Sequence, residues 1–317
     1  MRIIVAVLIA ALSVIPAAAQ SWPTKPVKVV VTFGPGTATD TIARALATEL
    51  SKSFGQPFVV VNRGGANGTI GGTEVARAAP DGYTLMVGSN TSIVAGPLMR
   101  KEPPYDTLKD LEPISFLCDS TFFLATHPSV PAKTLQEFIA YAKANPGKIN
   151  YASGNTTGIV STQFLAKSAG IDMIHIPYKS DPEAMPDLLS GQVQFIIATS
   201  QNVLPHAKAG KLRLLATALR ERSPLAPDVP SIVETGQPEF PIGPWAAFLG
   251  PAGLPADIVE RLAAESAKAM AKPEIIAALE PLGIAARTTS VAEFREFLKT
   301  QVETWRAALD EAGIEKQ

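Results

Sequence analysis

The residues best suited to binding chemistry follow the first predicted strand of the chain. Residues 29–32 are β-branched, which predicts a strand buried on both faces. Residues 33–36 form a Gly-Pro-Gly turn, and Thr37, Thr39 and Asp40 then offer side chains that cap a helix. A helix start presents unpaired N–H groups and the positive end of the helix dipole, which bind a carboxylate as readily as a phosphate. A purely structural turn with nothing bound is the alternative.

Small polar residues follow four further predicted strands. Ala66 and Asn67 lie in a glycine-rich loop after residues 58–61, and Ser89-Asn90 opens a polar loop after residues 83–88. In the second half of the chain, a polar loop at residues 153–158 precedes a helix predicted from residue 159, and Thr199 follows the strand 193–198. The carboxyl ends of parallel strands lie at one sheet edge, where ligands bind. The sequence therefore predicts a binding site built from these loops.

Catalytic, metal and cofactor motifs are not found in the sequence. There is no G-x-S-x-G or S-x-x-K, and no glycine-rich segment ends in the G-K-[ST] of a P-loop. A dinucleotide-binding loop is disfavoured, because a G-x-G-x-x-G motif that includes Gly68 and Gly71 needs glycine at position 66, where this chain has Ala66. His127, His175 and His206 have no metal-type spacing with one another or with Cys118. We predict no enzyme activity, no cofactor and no metal, a hydrogen-bonded core role for His175, and a buried apolar role for Cys118.

Composition indicates a globular protein with room for two domains. The 317 residues are 46% hydrophobic and 18% charged, which excludes a disordered chain. Lys and Arg number 28 against 29 Asp and Glu, so no net charge draws the chain to nucleic acid or to an anionic membrane.

The N-terminus has the pattern of a secretory signal peptide. Arg2 precedes an apolar run at residues 3–15, and residues 17–19 give an A-x-A cleavage site. We predict a signal peptide at residues 1–19, cleaved near Ala19, and a periplasmic mature protein; an uncleaved anchor is the alternative.

The rest of the chain divides into strand–helix units. Residues 114–117 and 122–125 are interpreted as a strand pair or one long bent strand. Residues 123–242 form a second βα half that ends in a proline-rich connection, after which the strand 245–249 returns to the first half. Three helices are predicted at residues 256–271, 273–282 and 291–312. Capping-box patterns are present at three places: Thr134/Glu137, Ser180/Glu183 and Ser290/Glu293.

Motifs spread over nearly the whole mature chain resemble the Bug/TctC family, the periplasmic solute-binding subunits of tripartite tricarboxylate transporters. They are Trp22-Pro23-Thr24-Lys25-Pro26, Phe33-Gly34-Pro35-Gly36, Val61-Asn62-Arg63, Gly65-Ala66-Asn67-Gly68, Pro80-Asp81-Gly82-Tyr83, Tyr151-Ala152-Ser153, Ile176-Pro177-Tyr178-Lys179, Gly191-Gln192-Val193 and Pro251-Ala252-Gly253-Leu254-Pro255. The resemblance implies an α/β, two-lobed type II periplasmic-binding-protein (Venus-flytrap) fold. It also implies a small carboxylate ligand and membrane permease partners. We predict a monomer.

The resemblance divides the mature chain into lobe 1 (residues 20–122 and 243–317) and lobe 2 (residues 123–242). Together with the polar loops it predicts a ligand site between the lobes. Lobe 1 is predicted to contribute Phe33, Gly36, Thr37, Ala38, Thr39, Asp40, Ala66, Asn67, Ser89 and Asn90. Lobe 2 is predicted to contribute Ser153, Asn155, Thr156, Thr157, Gly158, Tyr178 and Thr199. Lys179 and Arg63 either add charge to the site or are solvated or interlobe salt-bridge residues.

Several positions depart from the family pattern. Thr32 and Thr37 replace a proline and a glycine of the first loop, and Ser161 stands where a histidine is expected. Ala198 replaces an acidic residue that often follows the strand, which weighs against a ligand ammonium group.

Three other classes of function stay open at this stage. A partner that presents its ligand to a signalling receptor has the same sequence features. An enzyme using the same cleft needs a nucleophile or metal set that the motifs do not supply, and the sensing domain of a regulator needs a DNA-binding helix pair.

Overall fold

The first strand and helix form as their residue types predict. The computed structural model describes residues 22–316, and β1 covers Val27–Val31, paired in parallel with strands on both sides. Helix α1 covers Ala38–Phe54 and begins where Thr37 Oγ1 accepts a hydrogen bond of 3.3 Å from the Asp40 N–H. It ends at Gly55, whose φ of 66° is the left-handed conformation that glycine adopts at low cost.

Six strands form the first sheet, in the order β11-β4-β10-β3-β1-β2. Besides β1 they are β2 (Phe58–Asn62), β3 (Thr84–Ser89), β4 (Leu111–Ser120), β10 (Trp245–Pro251) and β11 (Ile284–Ala286). Strands β1, β2 and β3 are parallel, whereas β10 runs antiparallel to both β3 and β4. The returning strand at 245–249 is therefore confirmed; β11 had not been predicted.

Five strands form the second sheet, in the order β7-β6-β8-β5-β9. They are β5 (Phe122–Thr126), β6 (Asn150–Ser153), β7 (Ile174–Pro177), β8 (Phe195–Thr199) and β9 (Arg213–Thr217). Strand β6 is parallel to β7 and β8, and β5 is antiparallel to β8 and β9.

Helices cover both faces of each sheet. They are α2 (Thr69–Ala76), α3 (Leu135–Ala144), α4 (Thr156–Ala169), α5 (Asp181–Ser190), α6 (Ser200–Lys208), α7 (Ala256–Met270), α8 (Pro273–Leu279) and α9 (Val291–Glu311). Shorter helical segments lie at Ala66–Gly68, Thr91–Ala95, Gly96–Leu98, Val233–Thr235 and Glu280–Leu282. Four separate apolar clusters result, two beside each sheet, and Trp305 of α9 is fully buried in one of them. Each sheet therefore has its own core, as expected for two α/β lobes.

The chain passes between the sheets at neighbouring points. Thr121 alone separates β4 from β5, and residues 218–244 lead from β9 back to β10. The two connections are joined where Ser120 N donates to Pro244 O at 2.9 Å. Because β4 and β5 lie in different sheets, the interpretation as a strand pair is wrong. The lobe boundary proposed after residue 122 falls within β5, since Phe122 pairs with Thr199 of β8.

The three predicted capping boxes have different outcomes. Ser290 and Glu293 form the complete reciprocal box at the start of α9. Thr134 accepts from Glu137 N at 3.1 Å, but the Glu137 carboxylate accepts from Lys133 N instead of closing the box. The box predicted at Ser180 is wrong, because that side chain makes no capping bond to the backbone and Ser180 Oγ is hydrogen-bonded to the Glu183 carboxylate at 3.4 Å.

Candidate functional site

A cavity lies between the two lobes, where strands of both sheets end and helices begin. It encloses about 500 Å³ of space free of atoms, including its mouth. Lobe 1 and the connections between lobes supply Phe33, Thr37, Ala38, Thr39, Ile42, Ser89, Asn90, Thr91, Ser120, Pro244, Trp245 and Ala246. The second sheet and its helices supply Phe122, Gly154, Asn155, Thr157, Asp181, Thr199 and Asn202. Both lobes therefore contribute to the wall of the cavity.

The start of α1 supplies hydrogen-bond donors from the first lobe. Thr37 holds this start in place, because its Oγ1 caps Asp40 N and donates to Gly34 O at 2.9 Å. The N–H groups of Ala38 and Thr39 come before the first intrahelical hydrogen bond and have no acceptor within the helix. Both residues line the cavity, so the positive end of α1 is directed at its contents.

The start of α4 supplies the corresponding donors from the second lobe. Asn155 caps this helix, since its Oδ1 accepts from Gly158 N at 2.8 Å. The helix therefore begins at Thr156, three residues before the predicted start, and residues 156–158 form its first turn instead of a loop. Thr157 is buried and lines the cavity with its hydroxyl and the amino end of α4.

Hydrogen bonds cross between the lobes around the cavity. Asn90 Nδ2 donates to Thr157 Oγ1 at 2.9 Å, and the N–H of Thr156 donates to Thr91 Oγ1 at 3.2 Å. A third bond between the lobes runs from Gln201 Nε2 to the carbonyl of Gly36 at 2.8 Å. Since these pairs join residues of different lobes, the lobes are closed on each other in this structure.

Asp181, the first residue of α5, is the one ionisable side chain among the described residues that line the cavity. It is only 5% exposed, and its Oδ1 accepts from Asn155 Nδ2 at 2.9 Å. Burial raises the pKa of its carboxyl group to about 6, although donors from Asn155, Thr199, Gly154 and Asn202 lower it in part. At neutral pH the cavity wall therefore carries a negative charge for most of the time.

The cavity brings together a subset of the predicted site residues. Those that line it are Phe33, Thr37, Ala38, Thr39, Ser89, Asn90, Asn155, Thr157 and Thr199. The other predicted residues are not part of its wall: Gly36, Asp40, Ala66, Asn67, Ser153, Thr156, Gly158 and Tyr178.

The charged and aromatic members of this second group have partners of their own. Asp40 accepts from Arg44 Nε at 3.0 Å, from Asn62 Nδ2 at 2.9 Å and from the Gly36 N–H at 3.1 Å. Burial alone raises the pKa of Asp40, but these hydrogen bonds outweigh it and the pKa lies below its usual value. Tyr178 donates to Asp187 at 2.6 Å, and burial together with that carboxylate raises its pKa to about 12.

Sequence reasoning missed about half of the lining residues. They are Ile42, Thr91, Ser120, Phe122, Gly154, Asp181, Asn202, Pro244, Trp245 and Ala246. Gly154 and Thr91 lie inside polar runs that had been singled out, so a wider selection would have included them. Ser120, Phe122 and residues 244–246 lie at the strand ends where the chain passes between the sheets, and apolar strand sequence carries no signal of a site there.

The remaining candidates lie outside the cavity. Lys179 is exposed, and Arg63 Nε pairs with Glu74 at 3.2 Å. His175 is hydrogen-bonded to Ser153 at 2.6 Å and stacked on Tyr151, and burial lowers its pKa. Cys118 is fully buried in the first core, as predicted. Residues 22–316 contain no group of three side chains that could hold a metal ion, and none of their helices has the length and apolarity to cross a bilayer.

Two α/β lobes that close over a cavity between them define a periplasmic-type solute-binding protein. The chain belongs to the TctC family: the sequence model of the tripartite tricarboxylate transporter family receptor matches residues 42–314. Both the resemblance noted in the sequence and the type II periplasmic-binding-protein fold are thereby confirmed.

Similar proteins cover nearly the whole chain. Protein BugT of Bordetella pertussis is 35% identical over 303 residues, which are 94% of this chain and 92% of BugT. The structure of R. palustris Rpa4515 with adipate has a TM-score of 0.88 at 29% identity and covers 93% of this chain and 99% of its own. MatC from Rhodopseudomonas palustris with bound malate has a TM-score of 0.85 at 30% identity and covers 91% of this chain and 100% of its own.

Proposed function

We propose that this protein captures a small organic carboxylate between its lobes in the periplasm and delivers it to the membrane subunits of a tripartite tricarboxylate-type transporter. The observation that carries the proposal is the convergence of two helix starts, one from each lobe, on a single cavity. Thr37, Ala38 and Thr39 at the start of α1 and Asn155 and Thr157 at the start of α4 line it from opposite lobes.

The carboxylate is held by main-chain and hydroxyl donors. Each helix start carries about half a positive charge and presents N–H groups without intrahelical acceptors. A hydrogen bond to a charged group contributes about 1.5–3 kcal/mol, so three or four such bonds support micromolar affinity after ordering costs. The hydroxyls of Ser89 and Thr157 complete the set of donors.

Ligand binding favours the closed form, because a molecule in this cavity touches both lobes only when they are closed. An open and a closed form differ by movement about the two connections at Thr121 and Pro244. The ligand therefore binds the closed form more tightly than the open form and shifts the equilibrium between them toward the closed form. The closed form is the one that the permease recognises.

Relatives support the chemical class of the ligand. The structures of Rpa4515 with adipate and of MatC with malate each hold a carboxylate compound. The signal peptide predicted at residues 1–19 lies outside the described residues, and its A-x-A site supports export to the periplasm. We propose that the mature protein works as a monomer, with no cofactor and no catalytic step.

A thermal-shift screen of mono-, di- and tricarboxylates, aromatic acids and amino acids, with a neutral sugar as reference, tests the ligand class. A ligand at about 100 times its Kd stabilises the fold by about 2.7 kcal/mol. If the sugar or a simple amine raises the Tm and no compound with a carboxylate does, the proposal is wrong. Uptake of the identified ligand by vesicles containing the permease, with and without this protein, then tests delivery.

Acidic substitutions locate the site. Thr157→Glu places a carboxylate in the cavity but at a helix start, where it does not harm the helix, so binding is expected to be lost with the fold intact. Ala292→Glu is the matched control, because Ala292 is also the second residue of a helix, α9, but does not line the cavity. Equal affinity in both variants would place the site elsewhere.

A further inference from the structure

Asp181 is fixed firmly at the cavity wall. Its backbone packs so closely against the loop after β6 that a Cβ at Gly154 would collide with Ser180 and Asp181. The N–H of Tyr178 donates to Ser153 O at 2.9 Å, which ties the start of α5 to the end of β6. With Asn155 Nδ2 at 2.9 Å from its Oδ1, the carboxylate has little freedom to turn away from the cavity.

The charge of Asp181 is not balanced by a basic side chain in the cavity wall. Within the described part of the chain, no lysine, arginine or histidine lines the cavity. Lys179, two positions earlier in the sequence, is exposed, and Arg44 is paired with Asp40. The donors that reach Asp181 are amide and backbone N–H groups, which are neutral.

A dicarboxylate would therefore bring two further negative charges into a small space that already holds one. Like charges at short range in a poorly solvated site repel strongly, and neutral donors offset only part of this repulsion. A ligand with one carboxylate and one ammonium group would place the carboxylate at the helix starts and the ammonium beside Asp181, so that each charge has a partner.

We propose that Asp181 is the specificity-determining residue of this cleft and selects acids that also carry an ammonium group over dicarboxylates of the same length. The inference rests on the proposed function, because it concerns the far end of the same bound carboxylate. The proposal also answers the argument from Ala198, which held that the cleft has no acidic residue for a ligand ammonium group. Asp181 supplies that carboxylate, and it lies close to the N–H of Thr199, the residue that follows Ala198.

Isothermal titration with matched ligands tests the selection. The ligands are ω-amino acids from glycine to 6-aminohexanoate, the dicarboxylates with the same number of methylene groups, the unsubstituted monocarboxylates, and L-amino acids. In the natural protein the best ammonium-bearing acid is expected to bind about tenfold or more tighter than its matched dicarboxylate. Asp181→Asn should abolish this preference and improve dicarboxylate binding.

Glu183→Gln is the matched control, because it removes an exposed carboxylate from the same turn of α5 and should keep the natural preference. If dicarboxylates bind at least as tightly as every ammonium-bearing acid, or if Asp181→Asn leaves the preference unchanged, the inference is wrong while carboxylate capture stands. If no compound with a carboxylate binds, the proposed function fails as well.

Discussion

Asn90 donates a hydrogen bond of 2.9 Å to the hydroxyl of Thr157, and this bond joins the two lobes at the cavity itself. Asn90 follows β3 of the first sheet, whereas Thr157 lies in the first turn of α4 beside the second. The second Nδ2 hydrogen bond of Asn90, to the carbonyl of Gly243 at 2.9 Å, reaches the connection between the lobes. Closure and the shape of the binding site are therefore coupled through one amide side chain.

Thr157→Val is expected to weaken ligand binding about threefold to tenfold. The substitution removes the acceptor of the bond from Asn90, and a neutral hydrogen bond contributes about 0.5–1.5 kcal/mol. Isothermal titration measures the affinity, and small-angle scattering should show a larger open fraction. Thr162→Val is the control, because the Thr162 hydroxyl is buried in α4 without a hydrogen-bond partner among the described residues. Equal effects of the two variants would contradict a role for the bond in closure.

Thr37→Ala is expected to lower the free energy of unfolding by about 1 kcal/mol and to weaken ligand binding as well. It removes the cap on Asp40 N, and with it the hydroxyl that fixes the start of α1. Thr37→Ser keeps both interactions and should restore most of the loss. Urea unfolding and titration measure the two effects. Thr134→Ala removes an equivalent cap from α3 and should lower stability without changing affinity.

Asp181→Asn is expected to stabilise the protein at neutral pH but not in acid. The pKa of Asp181 is raised from 3.8 to about 6 in the folded state, so its contribution to stability is full below pH 3.8 and is lost as the pH rises through 6. The loss corresponds to about 3 kcal/mol. The difference between the variant and the natural protein should therefore grow from near zero at about pH 4 toward that value above pH 7.

Urea unfolding between pH 4 and pH 8 measures this difference. Glu183→Gln, which removes an exposed carboxylate of the same turn, should change the free energy of unfolding by less than about 1 kcal/mol. A stabilisation by Asp181→Asn that is the same at every pH would contradict the predicted linkage.

Cys118 is expected to be unreactive toward thiol reagents in the folded protein. The side chain is fully buried, and burial raises the pKa of its thiol to about 12, so neither access nor thiolate is available. Labelling should become fast only in denaturant. Rapid labelling of the native protein would show that the core around β4 opens readily.

Local sequence determined the units from which this protein is built. The β-branched residues of β1, the glycine turn after it and the capping hydroxyl of Thr37 all act within a few residues, so the strand and the start of α1 could be predicted. The capping box at Ser290 and Glu293 was equally visible. The family motifs added the two-lobed fold, because they recur in order along nearly the whole chain.

The cavity itself was decided by contacts between segments distant in the sequence. By its residue type Asp40 could bind a ligand. Its carboxylate instead accepts hydrogen bonds from Arg44 of the same helix and from Asn62, which lies at the end of β2. Asp181 looked like a residue of an ordinary helix start, and only its packing against Gly154 places it in the cavity wall.

Sequence alone thus determined which strands and helices form, apart from β11, and where most of them begin, and it led to the prediction that helix starts supply donors for an anion. Tertiary structure decided which of those starts meet, that Trp245 and Phe122 complete the wall, and that the buried carboxylate of Asp181 lies at the cavity. The physical reason is range: capping and turn formation depend on neighbouring residues, whereas the cavity depends on how two separately packed sheets approach each other.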